Sequence, residues 1–172
     1  IQAAAPISFY PPGFQIELPG DIKGLASFNG VLIVFLEDSI YYINGEGPDY
    51  RGLSGTFSMP QLLTRLAGCS TWRSIIEYPD GLMFKSKSGL KIITKKLELM
   101  DIGTTVQDLV APDVDIVGAA HYELNKSIIF NCNEGGYSHL AVYDYDNAAW
   151  YKWKYFLDTP SITIASDTVW LG

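Results

Sequence analysis

The chain has 172 residues and carries 12 Lys and Arg against 19 Asp and Glu, a formal net charge of −7. That length suffices for one domain with a real core, and the acidic balance argues against a surface built to grip nucleic-acid phosphates, which needs clustered cations. Its longest apolar run, Val31 to Leu36, is strand-length and far short of the ~18 residues of a membrane span.

The composition favours strands. Eleven Tyr, eight Phe and four Trp suit a pleated, half-buried surface, and 16 Gly supply turns. The sequence begins at Ile1 rather than Met and runs out at Trp170-Leu171-Gly172 inside a strand pattern, so a processed product or part of a longer chain is expected. Residues 1–21 are irregular and Pro-rich, with Pro11-Pro12-Gly13 breaking any regular element. They predict a leading arm or linker.

From Ile22 a hairpin grammar begins and recurs. Gly24 to Phe28 and Val31 to Phe35 flank Asn29-Gly30, the strongest short hairpin signal because both turn residues adopt positive φ. A turn at Glu37-Asp38 leads into Ser39 to Ile43. The connection Gly45-Glu46-Gly47-Pro48-Asp49-Tyr50-Arg51-Gly52 is Gly-rich but lacks the Lys-Ser/Thr and helix of a phosphate cradle, so it reads as a link between repeats. Met59 to Leu66 places Leu62, Leu63 and Leu66 on one helical face, with Pro60 early, and predicts a short helix; Arg65 reads as solvated surface.

The second copy runs from Trp72 to Tyr78, turns at Asp80-Gly81, continues through Leu82 to Lys85, turns at Lys87-Ser88-Gly89 and ends in Leu90 to Thr94. The third has Ile116 to Tyr122, a turn at Asn125-Lys126, Ser127 to Cys132, a turn at Glu134-Gly135-Gly136, His139 to Tyr145, and a fourth strand from Ala149 to Trp153. A fourth copy starts at Ser161 to Ala165, turns at Ser166-Asp167 and runs through Thr168 to Leu171.

The first turns of the copies end at Gly30, Gly81, Lys126 and Asp167, at intervals of 51, 45 and 41 residues. Such a period with four strands per unit is the signature of a β-propeller. The expected fold is therefore all-β and propeller-like, with antiparallel four-stranded blades at about 22–66, 67–110 and 111–157 and a partial blade at 158–172. Closure needs at least ~4 blades, so these belong to a larger ring. A sandwich is the alternative.

Gly68-Cys69-Ser70-Thr71-Trp72-Arg73-Ser74-Ile75-Ile76, followed by Pro79 to Ser86, Gly89 and Ile102-Gly103, resembles the propeller region of tail nozzle, or packaged-DNA stabilization, proteins of short-tailed bacteriophages. The likeness extends to Ala26 to Val34 with Asp38 to Tyr41, and to Val142 to Tyr145 with Ala149-Trp150, spanning roughly Leu25 to Trp153. It implies a non-enzymatic structural protein of the virion tail. It also implies a homo-oligomeric ring joined to other tail and portal proteins, and DNA passing through a channel without sequence-specific contacts. The chain departs from that family in lacking an evident tube platform and most of the ring.

The residues that could carry chemistry have plainer readings. Asp144, Asp146 and Asn147, grouped with Glu134, suggest an oxygen-ligand calcium site, but they lack the DxDxDG loop and read as a turn. Asp108, Asp113 and Asp115 with His121 could form an acid–base set, yet nothing fixes their geometry. Ser74 and Ser127 lack a nucleophile-elbow context. Cys69, Cys132, His121 and His139 fall in no zinc spacing, and the two Cys are expected as buried thiols, with one disulfide as the alternative. No catalytic, cofactor or metal residues are therefore assigned.

The aromatic run Trp150, Tyr151, Trp153, Tyr155 and Phe156 is the best candidate for an interface or for packing between blades. Alternation puts Trp150 and Lys152 on one face and Tyr151 and Trp153 on the other. Exposed, these aromatics would favour a carbohydrate- or protein-binding propeller; buried, a purely structural one. A glycosidase-like propeller is a third reading and needs converging carboxylates.

Overall fold

The computed structural model describes residues 16–47, 55–102, 114–154 and 161–171. They form strands β1 (Ile22–Phe28), β2 (Val31–Leu36), β3 (Ile40–Ile43), β4 (Gln61–Thr64), β5 (Ile76–Tyr78), β6 (Gly81–Ser86), β7 (Gly89–Thr94), β8 (Leu99–Asp101), β9 (Asp115–Tyr122), β10 (Ser127–Glu134), β11 (Tyr137–Asp144), β12 (Ala149–Lys154), β13 (Ile162–Ala165) and β14 (Thr168–Leu171). Consecutive strands pair antiparallel into three four-stranded sheets, β1–β4 (sheet A), β5–β8 (sheet B) and β9–β12 (sheet C), and a hairpin, β13–β14 (sheet D). The fold is all-β and propeller-like, and the described sheets do not close a ring. Most of the leading arm, residues 1–15, lies outside the described residues.

Local chemistry explains the hairpins. Phe28 sits opposite Val31, so Asn29-Gly30 is a two-residue loop with φ of 51° and 77°. Glu134 sits opposite Tyr137 across Gly135-Gly136, at 57° and 89°. Ser166-Asp167 does the same at 49° and 57° without glycine. Positive φ at both positions matches the right-handed twist of the strands.

Two predicted turns differ in detail. Tyr78 is paired with Gly81, so the loop is Pro79-Asp80 rather than Asp80-Gly81. Gly81 lies in β6, where a Cβ would stand 2.4 Å from the Ile93 carbonyl oxygen; glycine serves close approach there, not turn geometry. The β9–β10 loop is Glu123 to Lys126, with the Lys126 N–H donating to the Glu123 carbonyl at 3.1 Å.

Two predicted elements are overturned. Residues 59–66 do not form a helix: Gln61–Thr64 is β4, pairing with β3, and Tyr42 donates its hydroxyl proton to Gln61 Oε1 at 2.5 Å. A segment this short cannot offset helix nucleation, whereas the open edge of β3 offers a ready ladder. The predicted strand from Trp72 likewise begins only at Ile76, because Trp72–Ser74 is a single 3-10 turn. Thr71 caps it, and the Ser74 hydroxyl donates to the Thr71 carbonyl at 2.7 Å while accepting from the Lys85 N–H at 2.9 Å.

The sheets stack face to face through three apolar seams. Between A and B lie Phe28, Ile33, Phe35, Ile40, Cys69, Leu82, Phe84 and Ile93, with the Phe35 and Phe84 rings 5.0 Å apart. Between B and C lie Tyr78, Met83, Leu90, Ile92, Ile116, Ile128, Phe130 and Cys132. Between C and D, Ile129, Leu140 and Val142 meet Ile162, Ile164, Val169 and Leu171. Each fully buried side chain contributes about 1.5–3 kcal/mol, so the seams carry the fold.

The first strands of the sheets stand along a common edge. β9 touches both β5 and β13, and the Trp72–Ser74 turn touches β1. Glycine marks the closest approaches. A Cβ on Gly24 of β1 would lie 2.5 Å from Ile75 Cδ1, and one on Gly118 of β9 would lie 3.0 Å from Ile162 Cγ2. At Gly68, a Cβ would meet the Glu37 carbonyl oxygen at 2.2 Å, because Cys69 donates its N–H to the Leu36 carbonyl beside it.

Gly68→Ala must therefore displace main chain, and is expected to destabilise by about 1–3 kcal/mol or more. Phe84→Ala, which empties the A–B seam, should cost about 3–5 kcal/mol. Urea unfolding followed by Trp fluorescence measures both.

Candidate functional surface

The aromatic run falls on β12, the last strand of sheet C, and the structure divides it as the alternation predicts. Trp150 turns toward sheet B, its ring 6.3 Å from Phe130 and 4.7 Å from Tyr143. It belongs to the B–C seam. Tyr151 and Trp153 pair with Val142 and Leu140 of β11, which places them on the face toward sheet D. They are 48% and 52% exposed. Tyr155 lies outside the described residues.

Comparison of the seams explains this exposure. Between A and B, residues of β7 and β8 (Ile93, Leu99) share one core with residues of β3 and β4 (Ile40, Leu63). The third and fourth strands of one sheet thus cover those of its neighbour. Among the described residues sheet D has two strands, and they leave Tyr151 and Trp153 of β12 half exposed.

The far face of sheet A is apolar as well, buried at its centre and exposed at its margins. Register places Leu25, Leu32, Val34, Tyr41, Ile43 and Leu62 on it. Leu18 packs on its centre beside Val34, Leu36 and Ile43. Leu25 at 56% and Leu62 at 43% stay exposed. Sequence reasoning did not single these residues out, although the unbroken apolar run of β2 carries the signal: a strand apolar on both sides is covered on both sides.

At the outer end of β10–β12, Glu134, Tyr137, His139, Lys152 and Lys154 line a cleft of about 460 Å³. Lys152 Nζ lies 3.9 Å from Glu134 Oε2, an exposed pair worth little in stability.

The acidic group does not assemble as grouped in the sequence. Asp144 faces Ser127 and Glu134 faces Tyr137, at opposite ends of the β10–β11 hairpin, roughly 23 Å apart at strand rise. Asp144 closes a turn: its Oδ1 accepts the N–H groups of Asp146 and Asn147 at 3.0 and 3.1 Å, and its Oδ2 accepts the Asn147 amide at 2.8 Å. The Asn147 side-chain hydrogen bond, followed by its backbone N–H, holds the Asp144 carboxyl below its ordinary range. Asp146 pairs with Lys126 at 2.5 Å.

Asp115 and His121 also stay apart, at the two ends of β9. His121 Nε2 instead lies 3.1 Å from the Tyr145 hydroxyl. Asp108, Asp113 and the 48–52 part of the Gly-rich connection lie outside the described residues. Ser74 is buried as the anchor of the 3-10 turn, and Ser127 is buried in β10. Among the described residues no group of three or more His, Cys, Asp or Glu could hold a metal ion.

Cys69 and Cys132 are both buried and free, one in the A–B seam and the other in the B–C seam. The disulfide alternative is therefore not realised. Cys69 Sγ donates to the Thr71 carbonyl at 3.1 Å, and burial raises its pKa. Burial pushes the Cys132 thiol from its ordinary 9.0 up to about 12.

No known protein-family model matches the chain, and no curated protein matches it. Fold and surface together define a class: a propeller-like stack of antiparallel sheets, bearing an aliphatic face at one end and an aromatic shelf at the other. Among the described residues no helix is long and apolar enough to cross a membrane.

The shelf and the seam separate on substitution. Trp150→Ala should cost about 2–4 kcal/mol, whereas Trp153→Ser should change stability by no more than about 0.5 kcal/mol, as chemical denaturation would measure. Stability should also fall in alkali. Below pH 9 the Cys132 thiol is neutral whether folded or unfolded, and its buried form carries no penalty. Between pH 9 and about 12 the unfolded thiol ionises while the buried one holds its proton. The loss is at most about 1.4 kcal/mol per pH unit. Urea midpoints at pH 8 and pH 10.5 should differ less in Cys132→Ala than in the parent.

Proposed function

We infer that this chain is a structural module of a short-tailed phage tail nozzle or adaptor, a propeller-like support for the channel through which DNA leaves the virion. The observation that carries the reading is the stack of sheets with first strands along one edge, joined by continuous apolar seams. This is a mechanical design: stiffness comes from sheet-on-sheet packing and not from any reacting group. The resemblance of 25–153 to the nozzle family's propeller region supports the particular setting. Net charge of −7 suits a wall that lets a polyanion slide without gripping it. The partners in this reading are identical subunits in a ring, neighbouring tail and portal proteins, and DNA contacted without regard to sequence.

The exposed Tyr151 and Trp153 favour a second reading, a propeller that binds a protein or a carbohydrate through its aromatic shelf. Native mass spectrometry with negative-stain imaging separates the two. The nozzle reading expects a ring of identical subunits around a central channel. A monodisperse monomer that binds a glycan array, and loses that binding in Trp153→Ser, overturns it in favour of the second.

A further inference from the structure

The cleft at the turn end of β10–β12 faces sheet B, away from the last hairpin. Ala141 and Cys132 belong to the B–C seam, and strand alternation puts Tyr137 and His139 on the same face as Ala141. Lys154 stands opposite His139 and Lys152 opposite Ala141, so both lysines join that face. Glu134 stands opposite Tyr137 and completes the group. The volume, about 460 Å³, is within the range of small-molecule sites.

The lining is unevenly charged. Lys154 is exposed and, among the described residues, takes part in no ion pair. Lys152 reaches across β11 toward Glu134 but stops at 3.9 Å. Two ammonium groups thus meet one carboxylate, a local cationic excess in a chain of net charge −7. Buried His139 forms the floor, and Tyr137, 81% exposed, stands at the rim as an aromatic surface. Glu134 selects among anions. Its carboxylate accepts hydrogen bonds and repels a second negative charge. A phosphate dianion offers it no donor, whereas a ligand with one carboxylate and several hydroxyls satisfies the lysines and Glu134 together.

We propose that this cleft is a binding site for an acidic saccharide, a sugar ring that bears a carboxylate. The carboxylate pairs with Lys152 and Lys154, hydroxyl groups donate to Glu134, and the ring lies against Tyr137. The site is distinct from the aromatic shelf, because Tyr151 and Trp153 alternate with Lys152 and Lys154 and take the opposite face of β12. It needs neither a ring of subunits nor a neighbouring chain, so it stands whether or not the nozzle reading does.

The test titrates the whole chain with glucuronic acid, galacturonic acid and N-acetylneuraminic acid, and follows the amide NMR shifts of Tyr137, His139 and Lys154. At least one of the sugar acids should saturate these shifts at millimolar concentration, and its methyl ester should not. Lys154→Gln and Tyr137→Ser, both at exposed positions, should weaken binding tenfold or more. Lys154→Arg should retain it, and Trp153→Ser should leave it unchanged. Absence of shifts with every sugar acid overturns the proposal, as does equal binding of the methyl ester or equal binding by Lys154→Gln. Inorganic phosphate that displaces the sugar acid at equal concentration also overturns it, because the cleft would then recognise charge alone. Binding lost in Trp153→Ser and kept in Lys154→Gln assigns the sugar to the shelf and overturns it too.

Discussion

Sheets A, B and C are each apolar on both faces, and an apolar face in water must be covered. That constraint organises the molecule. A single four-stranded sheet with Phe35 and Ile33 on one side and Val34 and Leu36 on the other has no stable existence alone. Placed against a neighbour with Leu82, Phe84 and Ile93, it gains a seam as dense as any core. The neighbour then has its own second face to cover, and the stack grows by the same logic until it meets a surface that ends it. At the two ends of the stack the described residues leave apolar side chains exposed, Leu25 and Leu62 on sheet A and Tyr151 and Trp153 on sheet C.

Stacking alone would give a straight pile. Contact between successive first strands draws one edge of the stack together, and the glycines of that edge show how tightly. Gly24 and Gly118 occupy places where a methyl group would press on the side chains of Ile75 and Ile162. The ends of the strands are tied by polar groups of the turns. Lys87 bridges from the β6–β7 turn to Glu37 and Asp38 of the β2–β3 turn, at 2.9 Å each. The Asn29 amide donates to the Lys95 carbonyl at 2.7 Å. These exposed ties align neighbouring sheets more than they stabilise them.

Much of the architecture was legible because turns and alternation are local. Asn29-Gly30 and Gly135-Gly136 announce their hairpins, and the alternation from Trp150 to Trp153 assigns each aromatic to its face. What escaped was decided by distance in sequence. Leu62 and Leu63 fit a helical face, but the edge of β3, some twenty residues earlier, claimed them as a strand. Gly81 looked like a turn glycine because the pressure on it comes from Ile92 and Ile93 across the sheet. Glu134 and Asp144 read as one cluster, whereas the length of a two-stranded ladder holds them apart. The candidate surface was half legible: its aromatics could be named, but their exposure depends on how many strands the next sheet has.

The two buried thiols have a consequence for how the stack comes apart. Sheets that touch only their neighbours can separate one seam at a time, as foldons of different stability. Cys69 sits in the first seam and Cys132 in the second, and neither can meet a reagent in solvent until its seam opens. The chain therefore carries a separate clock for each of two adjacent seams, and the order in which the thiols become reactive reads out the order in which the blades part.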